Sequence, residues 1–243
     1  MSFMNTFVKR FSLAQLPVEN KTVLLRADFN VPLKNGKVAD NTKIKATLPT
    51  IKYLLHKNCK IVLATHLGRP KGFSSELSVE PLVRELQRLL PKRRIVKLDD
   101  CIGKEIKETV QKGKPQTTFF LENLRFYKEE EQNDAFFAHS LAHLADLYVN
   151  DAFGVAHRKH ASVDAITEFL LSAPGLLFEK EVQELSKGLF PEKPSVLILG
   201  GAKLNKIALV ERALERYNQI LIGGALAFSF MKAKGMAIGT SKT

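Results

Sequence analysis

One short stretch, VLLRAD at residues 23–28, decides the fold class of this chain. It is almost continuously apolar and too short for a typical helix, as expected for a β-strand whose sheet is covered on both faces. Six further runs follow the same pattern: KIVLAT (60–65), RIVKL (94–98), TTFFLE (117–122), DLYVN (146–150), SVLILG (195–200) and QILIGG (219–224). The sequence therefore predicts a series of buried strands along most of its length.

Longer amphipathic segments separate these runs and predict helices. They cover residues 46–58, 79–90, 133–145, 178–189 and 204–217. An alternation of strands and helices is typical of parallel strands that are joined by right-handed crossovers. We therefore predict an α/β fold with a doubly wound, Rossmann-like parallel sheet in its N-terminal domain.

A break at FPEKP, residues 190–194, divides this series in two. The segment before it is predicted to be a helix with one exposed face, and a new strand–helix–strand series begins after it. We predict a first domain at residues 1–188, which includes that helix. Residues 189–243 are predicted to form a partial second α/β domain.

The charge of the chain favours anionic partners. Its 37 Lys and Arg residues outnumber 25 Asp and Glu residues, which gives a formal net charge of +12. Aromatic residues make up only 8% and are not interleaved at the strand ends, so we expect no specific nucleic-acid binding. No apolar run approaches the length of a membrane span, and the start lacks the apolar core of a secretory signal. With two cysteines that suit a reducing compartment, we expect a cytoplasmic protein that binds no membrane.

Polar and basic residues follow four of the predicted strands at the point where each strand ends. They are Asp28 and Asn30, then His66 and Arg69, then Arg125, and finally His157 and Arg158. Because ligands of open α/β sheets bind outside the carboxyl ends of the strands, these residues predict one basic pocket. Any one of them alone would ordinarily be a solvated surface group, so the prediction depends on their convergence. Arginines on separate loops suit a small acid that carries both phosphate and carboxylate.

Glycine-rich turns follow the last two predicted strands. Gly200, Gly201, Ala202 and Lys203 lead from one strand into a predicted helix, and Gly223 and Gly224 follow the next strand. Glycines let backbone amides approach a phosphate, and a helix N-terminus favours negative charge. Such turns often serve only to leave a strand, but two of them side by side predict the floor of a nucleotide site.

Longer motifs in the chain resemble those of the phosphoglycerate kinases. They are RADFNVPL (26–33), THLGRPKG (65–72), LENLRF (121–126), YVNDAFGVAHRKHASV (148–163), LILGGAKLNKI (197–207) and IGGALAFSFMKAKGMAIGTS (222–241). The resemblance implies reversible phosphoryl transfer in glycolysis, in which 1,3-bisphosphoglycerate and ADP give 3-phosphoglycerate and ATP. It also implies a monomer of two domains that close by hinge bending, with one substrate on each.

The resemblance implies roles for particular residues. Phosphoglycerate would be bound by Asp28, Asn30, His66, Arg69, Arg125 and Arg158, and Phe29, Gly68 and His157 would line that site. Gly201, Ala202, Lys206, Gly223 and Gly224 would contact the nucleotide, and Lys203 would bridge to the transferring phosphoryl group. Mg²⁺ would arrive with ADP or ATP, with its ligands expected outside this chain's length, and no metal-binding residue is assigned within the chain.

The chain departs from the family pattern at several places. Lys43 stands where the family carries a catalytic arginine, and Ala225 replaces a glycine of the second glycine-rich turn. Lys203 and Lys206 are one residue closer together than in the family. The motifs end after the opening of the nucleotide domain, so residues 195–243 are expected to be poorly stable alone or to rest on another chain.

The sequence is therefore compatible with three functions. The first is a phosphoglycerate kinase, and the second is a truncated phosphoglycerate-binding module without turnover, which Lys43 would favour. The third is a basic nucleic-acid-binding protein, for which the net charge is the only support and weak, salt-sensitive binding the most to expect.

Overall fold

A computed structural model describes residues 12–201 and 207–241 of the chain. These residues form two compact units, and the division between them falls between Glu181 and Val182. The division lies inside the helix that the sequence assigns to the first domain.

A six-stranded parallel sheet forms the centre of the first unit. The strands of this unit are β1 (Thr22–Ala27), β2 (Leu33–Lys34), β3 (Lys37–Val38), β4 (Lys60–Ala64), β5 (Arg94–Lys97), β6 (Thr117–Phe120), β7 (Leu147–Asp151) and β8 (Ser172–Pro174). The order in the sheet is β5–β6–β4–β1–β7–β8, and β2 and β3 form a separate antiparallel pair. Every residue of β1 is buried, as expected for a central strand that is covered on both faces.

Helices cover both faces of this sheet. They are α1 (Thr42–His56), α2 (Glu80–Leu89), α3 (Lys104–Lys112), α4 (Lys128–Glu131), α5 (Ala135–Ala142) and the beginning of α6 (Leu176–Leu189). Leu25 of β1 shares one core cluster with Leu54 of α1 and Leu86 of α2. Leu24 points to the opposite face and shares a second cluster with Leu141 of α5. The predicted α/β fold with a doubly wound parallel sheet is therefore confirmed.

The second unit contains a two-stranded parallel sheet, β9 (Val196–Gly200) and β10 (Gln219–Gly223). Helices α7 (Ile207–Leu214) and α8 (Gly224–Ala233) pack on one face, where Leu199, Val210 and Leu226 form a small buried cluster. On the other face the paired residues Ile198 and Leu221 are 74% and 53% exposed. Poor stability of this region alone stays a prediction.

No helix in the two described ranges is long and apolar enough to cross a bilayer. The two cysteines, Cys59 and Cys101, are both buried as free thiols in the first unit.

Candidate functional site

Four neighbouring strands of the large sheet end at one edge. Strands β6, β4, β1 and β7 lie side by side and run in the same direction. The predicted residues follow these strands at that edge: Asp28, Phe29 and Asn30 after β1, His66, Gly68 and Arg69 after β4, Arg125 after β6, and His157 and Arg158 after β7. The topology therefore places all nine candidates where open α/β sheets bind ligands.

Hydrogen bonds connect three of these strand ends directly. The Gly68 amide donates to Oδ1 of Asn30 at 2.9 Å, which joins the β4 loop to the β1 loop. Nη1 of Arg125 donates to the Gly68 carbonyl at 2.7 Å, which joins the β6 turn to the same loop. Asn30, Gly68 and Arg125 are therefore held together before any ligand binds.

Gly68 needs to be glycine at this position. Its φ is +64°, a conformation that side chains with a Cβ rarely adopt. A Cβ built on Gly68 would also lie 2.9 Å from Cδ2 of Leu77. The glycine thus allows the tight turn that brings the β4 loop against Asn30 and Arg125.

Asn123 fixes the conformation of the same loop, although it is not among the site residues predicted from the sequence. Its Oδ1 accepts hydrogen bonds from the amides of Leu67 and Arg125, each at 3.1 Å. Its Nδ2 donates to the carbonyls of Leu67 at 2.8 Å and Leu77 at 2.9 Å. All of its polar positions are used inside the protein, so Asn123 positions the site rather than binding a ligand.

Phe29 lies between two site residues but points away from them. Its ring is fully buried in the core and lies 6.1 Å, centroid to centroid, from the ring of Phe120. Its amide donates to Oγ1 of Thr65 at 3.0 Å, and that hydroxyl donates to the Ala27 carbonyl at 2.9 Å. Phe29 therefore contributes to the shape of the edge through its backbone and its core packing.

Asp28 forms an ion pair with Lys43 across the edge. Nζ of Lys43, in the first turn of α1, lies 2.9 Å from Oδ2 of Asp28. Oδ1 of Asp28 accepts a hydrogen bond from the Asn30 amide at 3.2 Å. A Cβ on Gly154 would lie 2.9 Å from Oδ2, so the loop after β7 also approaches this carboxylate. Asp28 thus lies where two loops and a helix meet.

Arg125 is a buried cation with an unused donor. Its side chain is only 6% exposed, and Nε lies 3.1 Å from Oε1 of Glu131, without the geometry of a hydrogen bond. Nη2 has no hydrogen-bond partner in the described ranges. Burial lowers the pKa of Arg125, but a guanidinium remains charged at neutral pH. Buried donors almost always have a hydrogen-bond partner, so we expect an anionic ligand to supply the acceptor for Nη2.

The other basic candidates are more accessible. Arg69 and His157 are exposed, and Arg69 has no hydrogen bond or ion pair with any residue in the described part of the chain. Arg158 is partly buried, and its Nε lies 3.5 Å from Nε2 of His157. Three arginines thus surround the edge with different degrees of freedom, and Arg125 is the fixed one.

His66 is a neutral histidine inside this cationic cluster. Its side chain is 2% exposed, and its Nδ1 lies 3.1 Å from Nη2 of the buried Arg26. Burial, followed by the positive charges of Arg26, Arg125, Lys43 and Arg158, lowers the pKa of His66 to about 2. The ring therefore stays neutral across the physiological range of pH.

The low pKa of His66 predicts how stability depends on pH. The unfolded chain takes up a proton near pH 6.5 and the folded chain does not, so folding stability falls as pH drops below that value. Between pH 7 and 5 we expect His66→Asn to remove about 2 kcal/mol of the loss seen in the parent. Urea unfolding at several pH values measures this. The exposed His56→Asn variant is the control, and equal slopes for the two variants would contradict the prediction.

In the second unit the glycine-rich turns lie side by side. Gly200 and Gly223 are paired at the ends of β9 and β10, and the Leu226 amide donates to the Gly201 carbonyl at 2.8 Å. A Cβ on Gly224 would lie 3.1 Å from the Gly201 nitrogen, so only glycine permits this approach at its φ of +59°. Gly201, Gly223 and Gly224 thus form a bare backbone surface at the start of α8.

Comparison with known proteins shows the family of the chain. The phosphoglycerate kinase family model matches residues 13–243, nearly the whole chain. The chain belongs to the phosphoglycerate kinase family. It is 48% identical over 235 residues to the phosphoglycerate kinase of Moorella thermoacetica, and 46% identical over 234 residues to a cytosolic phosphoglycerate kinase of Triticum aestivum. The structure of the phosphoglycerate kinase from Coxiella burnetii matches with a TM-score of 0.83 at 35% identity.

The chain spans about three-fifths of the length of these phosphoglycerate kinases. The matches cover 96%, 95% and 95% of this chain, but 60%, 58% and 59% of the Moorella, Triticum and Coxiella proteins. Ala202, Lys203 and Lys206, which the family resemblance assigns to the nucleotide and the transferring phosphoryl group, lie outside the described residues. The structure therefore describes the candidate phosphoglycerate site fully and the nucleotide site in part.

The phosphoglycerate kinase resemblance also implies Mg²⁺. Among residues 12–201 and 207–241, no three His, Cys, Asp or Glu side chains converge as ligands of a metal ion. The described donor set therefore does not fit a metal held by this part of the chain alone.

Proposed function

We propose that the first unit binds 3-phosphoglycerate, and that the chain takes part in reversible phosphoryl transfer between 1,3-bisphosphoglycerate and ADP. The buried guanidinium of Arg125 carries this proposal, because its Nη2 faces no protein acceptor in the described ranges. It lies at the same edge as Asn30 and His66. Family membership supports the identity of the ligand, since phosphoglycerate kinases share this substrate.

The chemistry of the edge suits a small phosphorylated hydroxy acid. Arg125, Arg158 and Arg69 would bind the phosphate, since guanidinium groups grip phosphate oxygens with two parallel donors. Asp28 would accept a hydrogen bond from the hydroxyl group, and neutral His66 would donate one. Cations and neutral donors in a buried edge favour an anionic ligand without requiring it to change its protonation.

Phosphoryl transfer by this family needs positioning and charge more than a reactive side chain. In the direction that consumes ATP, the carboxylate of 3-phosphoglycerate attacks the γ-phosphoryl group, so no protein nucleophile is required. Lys43 and Lys203 would offset the charge of the transferring group, and Gly201, Ala202, Gly223, Gly224 and Lys206 would receive the nucleotide. Mg²⁺ would enter bound to the nucleotide.

Titration calorimetry with 3-phosphoglycerate tests the binding half of this proposal, and a coupled assay of ATP formation tests turnover. Binding with turnover supports a kinase. Binding without turnover supports the second candidate, a phosphoglycerate-binding module. The ion pair between Lys43 and Asp28 favours this candidate, because it engages the lysine that would otherwise offset the charge of the transferring group. No heat of binding at millimolar ligand would refute both.

The cellular location and the oligomeric state are proposed from the family. We propose a cytoplasmic protein, which the cytosolic relative from Triticum aestivum supports, although a relative from Arabidopsis thaliana is chloroplastic. We also propose a monomer, as the family resemblance implies. Size-exclusion chromatography with light scattering would measure the oligomeric state, and a dimer would contradict the proposal.

Lys43→Arg is expected to raise turnover about tenfold with little change in the affinity for 3-phosphoglycerate. A planar guanidinium can keep one nitrogen on Asp28 and direct a second nitrogen at the transferring group in a fixed plane, whereas all donors of Lys43 radiate from one nitrogen beside Asp28. The measurement compares kcat with the Kd for 3-phosphoglycerate. Lys45→Arg, on an exposed position of the same helix, is the matched control. Equal kcat values for the parent and Lys43→Arg would refute the role of Lys43.

A further inference from the structure

The central strand β1 contains a charged side chain inside the core. Arg26 is fully buried in this central strand, where an unpaired guanidinium would be strongly unfavourable. Its Nε donates to Oγ of Ser162 at 2.8 Å, Nη1 donates to the Ala27 carbonyl at 2.5 Å, and Nη2 lies 3.1 Å from Nδ1 of His66. Each of its three nitrogens therefore has a partner.

Glu130 balances this charge from the other side of Ser162. It is also fully buried, and its Oε1 lies 3.8 Å from Nη2 of Arg26. Oε1 accepts a hydrogen bond from the Ser162 hydroxyl at 2.7 Å, and Oε2 accepts one from the Ser162 amide at 2.9 Å. The Tyr148 hydroxyl donates to the Ser162 carbonyl at 2.7 Å, which fixes the serine backbone.

The donor and the acceptor of each hydrogen bond in this network follow from the residues at its two ends, Arg26 and Glu130. An arginine nitrogen can only donate and a carboxylate can only accept. Ser162 must therefore accept from Arg26 and donate to Glu130. Nδ1 of His66 must likewise accept from Arg26, so the proton of a neutral His66 ring is on Nε2.

We propose that Arg26, Ser162 and Glu130 are positioning residues that hold His66 as its neutral Nε2–H tautomer, so that the ring offers a fixed donor to the anionic ligand. The ligand half of this inference rests on the proposed function. None of the three residues contacts the ligand; they act through His66.

Burial and the surrounding cations both favour the neutral ring. Burial has the largest effect, and the positive charges of Arg26 of β1, Arg125 of the turn after β6, Lys43 of α1 and Arg158 of the loop after β7 add to it. Glu130 of α4 is the nearby anion, and it is already bonded to Ser162. Protonating Nδ1 would turn its accepted bond into a clash between two donors.

This arrangement has a consequence for ligand binding. A protonated histidine would bind phosphate more strongly at low pH and lose that advantage near neutrality. A histidine held neutral gives the same donor throughout, so His66 should add no pH dependence to that of the ligand's phosphate, whose second ionisation is near pH 6. The cationic part of the attraction is left to the arginines.

The decisive measurement is ¹⁵N–¹H long-range NMR of the histidine rings in the full, ligand-free chain. We expect His66 to show an unprotonated Nδ1 and a protonated Nε2 that do not change between pH 8 and pH 5. A Nδ1–H tautomer, or titration of His66 near its ordinary pKa, would overturn the proposal. This arm needs no variant and no ligand, so it stands even if 3-phosphoglycerate does not bind.

Variants of Ser162 separate positioning from simple structural support. In Ser162→Ala the Nε of Arg26 loses its acceptor, so we expect mixed tautomers of His66, while Ser162→Thr keeps the hydroxyl and should restore the Nε2–H form. Ser140→Ala, in α5, is the control. A single Nε2–H form in Ser162→Ala equal to that of the parent would refute the role of the serine.

Binding of 3-phosphoglycerate between pH 5.5 and 8 tests the ligand half. We expect Ser162→Ala to bind about tenfold more weakly than the parent at pH 8 and to gain a new pH dependence. Unchanged affinity at every pH would overturn the link from the network to the ligand. If the parent shows the Nε2–H tautomer of His66 but does not bind 3-phosphoglycerate, only the proposed function is contradicted.

Discussion

Arg125→Ala is expected to weaken 3-phosphoglycerate binding by about a hundredfold. The guanidinium is buried and pre-oriented by its bond to the Gly68 carbonyl, so it binds an anion without first becoming ordered. A charge-assisted hydrogen bond contributes about 1.5–3 kcal/mol, and a bidentate contact has two. Titration calorimetry measures the change directly.

Two matched variants identify the source of this loss. Arg125→Lys keeps the charge but loses the planar fork, so we expect it to bind about tenfold more weakly than the parent. Arg84→Ala removes an exposed arginine of α2 that pairs with Glu80, and it should bind like the parent. Equal affinities for Arg125→Ala and Arg84→Ala would refute the site.

Stability should respond much less than binding. Glu131, the ion-pair partner of Arg125, is 55% exposed, so its carboxylate is solvated when the arginine is removed. The variant loses one bond to Gly68 and also loses a buried donor that had no hydrogen-bond partner among the described residues. We expect the free energy of unfolding of Arg125→Ala to lie within about 1 kcal/mol of the parent. A residue that costs affinity but not stability serves the ligand.

The central strands could be predicted because burial on both faces leaves a clear pattern in the sequence. The run at 60–65 corresponds to β4 at Lys60–Ala64, and the run at 94–98 corresponds to β5 at Arg94–Lys97. Once these strands are parallel, the positions of Asp28, His66 and Arg125 at one edge follow from topology alone. No knowledge of side-chain packing is needed for that step.

Weakly patterned elements could not be predicted in this way. Helix α3, Lys104–Lys112, is mostly polar and buries only Ile106 and Val110. Strand β8, Ser172–Pro174, is three residues long and ends in a proline. Their positions are set by contacts with the sheet, which override local preference.

The buried polar network behind the site could not be predicted from sequence patterns either. Arg26 sits in an apolar run, and its partner Ser162 is 136 residues away. Nothing in one sequence distinguishes this buried arginine from a solvated one. The same limit applies to Phe29, whose neighbours face the edge while its own ring faces the core.

The largest effect on stability is expected from Asp151→Ala. Asp151 ends β7 and is fully buried, and its Oδ1 accepts hydrogen bonds from the amides of Leu177 at 2.9 Å and Phe178 at 3.0 Å. These are free amides of the first turn of α6, where a carboxylate is also favoured by the helix dipole. A Cβ on Gly175 would overlap that oxygen, so the helix start is built closely around it.

Removing the carboxylate leaves two amides without an acceptor, at a cost of about 2–3 kcal/mol in the free energy of unfolding. Burial raises the pKa of Asp151, so part of the stabilisation by this group is offset by the cost of keeping a charge inside. Asp151→Asn keeps an oxygen acceptor and removes that charge, and we therefore expect a loss of less than about 1 kcal/mol. Urea unfolding followed by circular dichroism measures both changes, and hydrogen exchange should quicken at Leu177 and Phe178 in the alanine variant alone. If both variants unfold at the same urea concentration as the parent, Asp151 does not hold the start of α6.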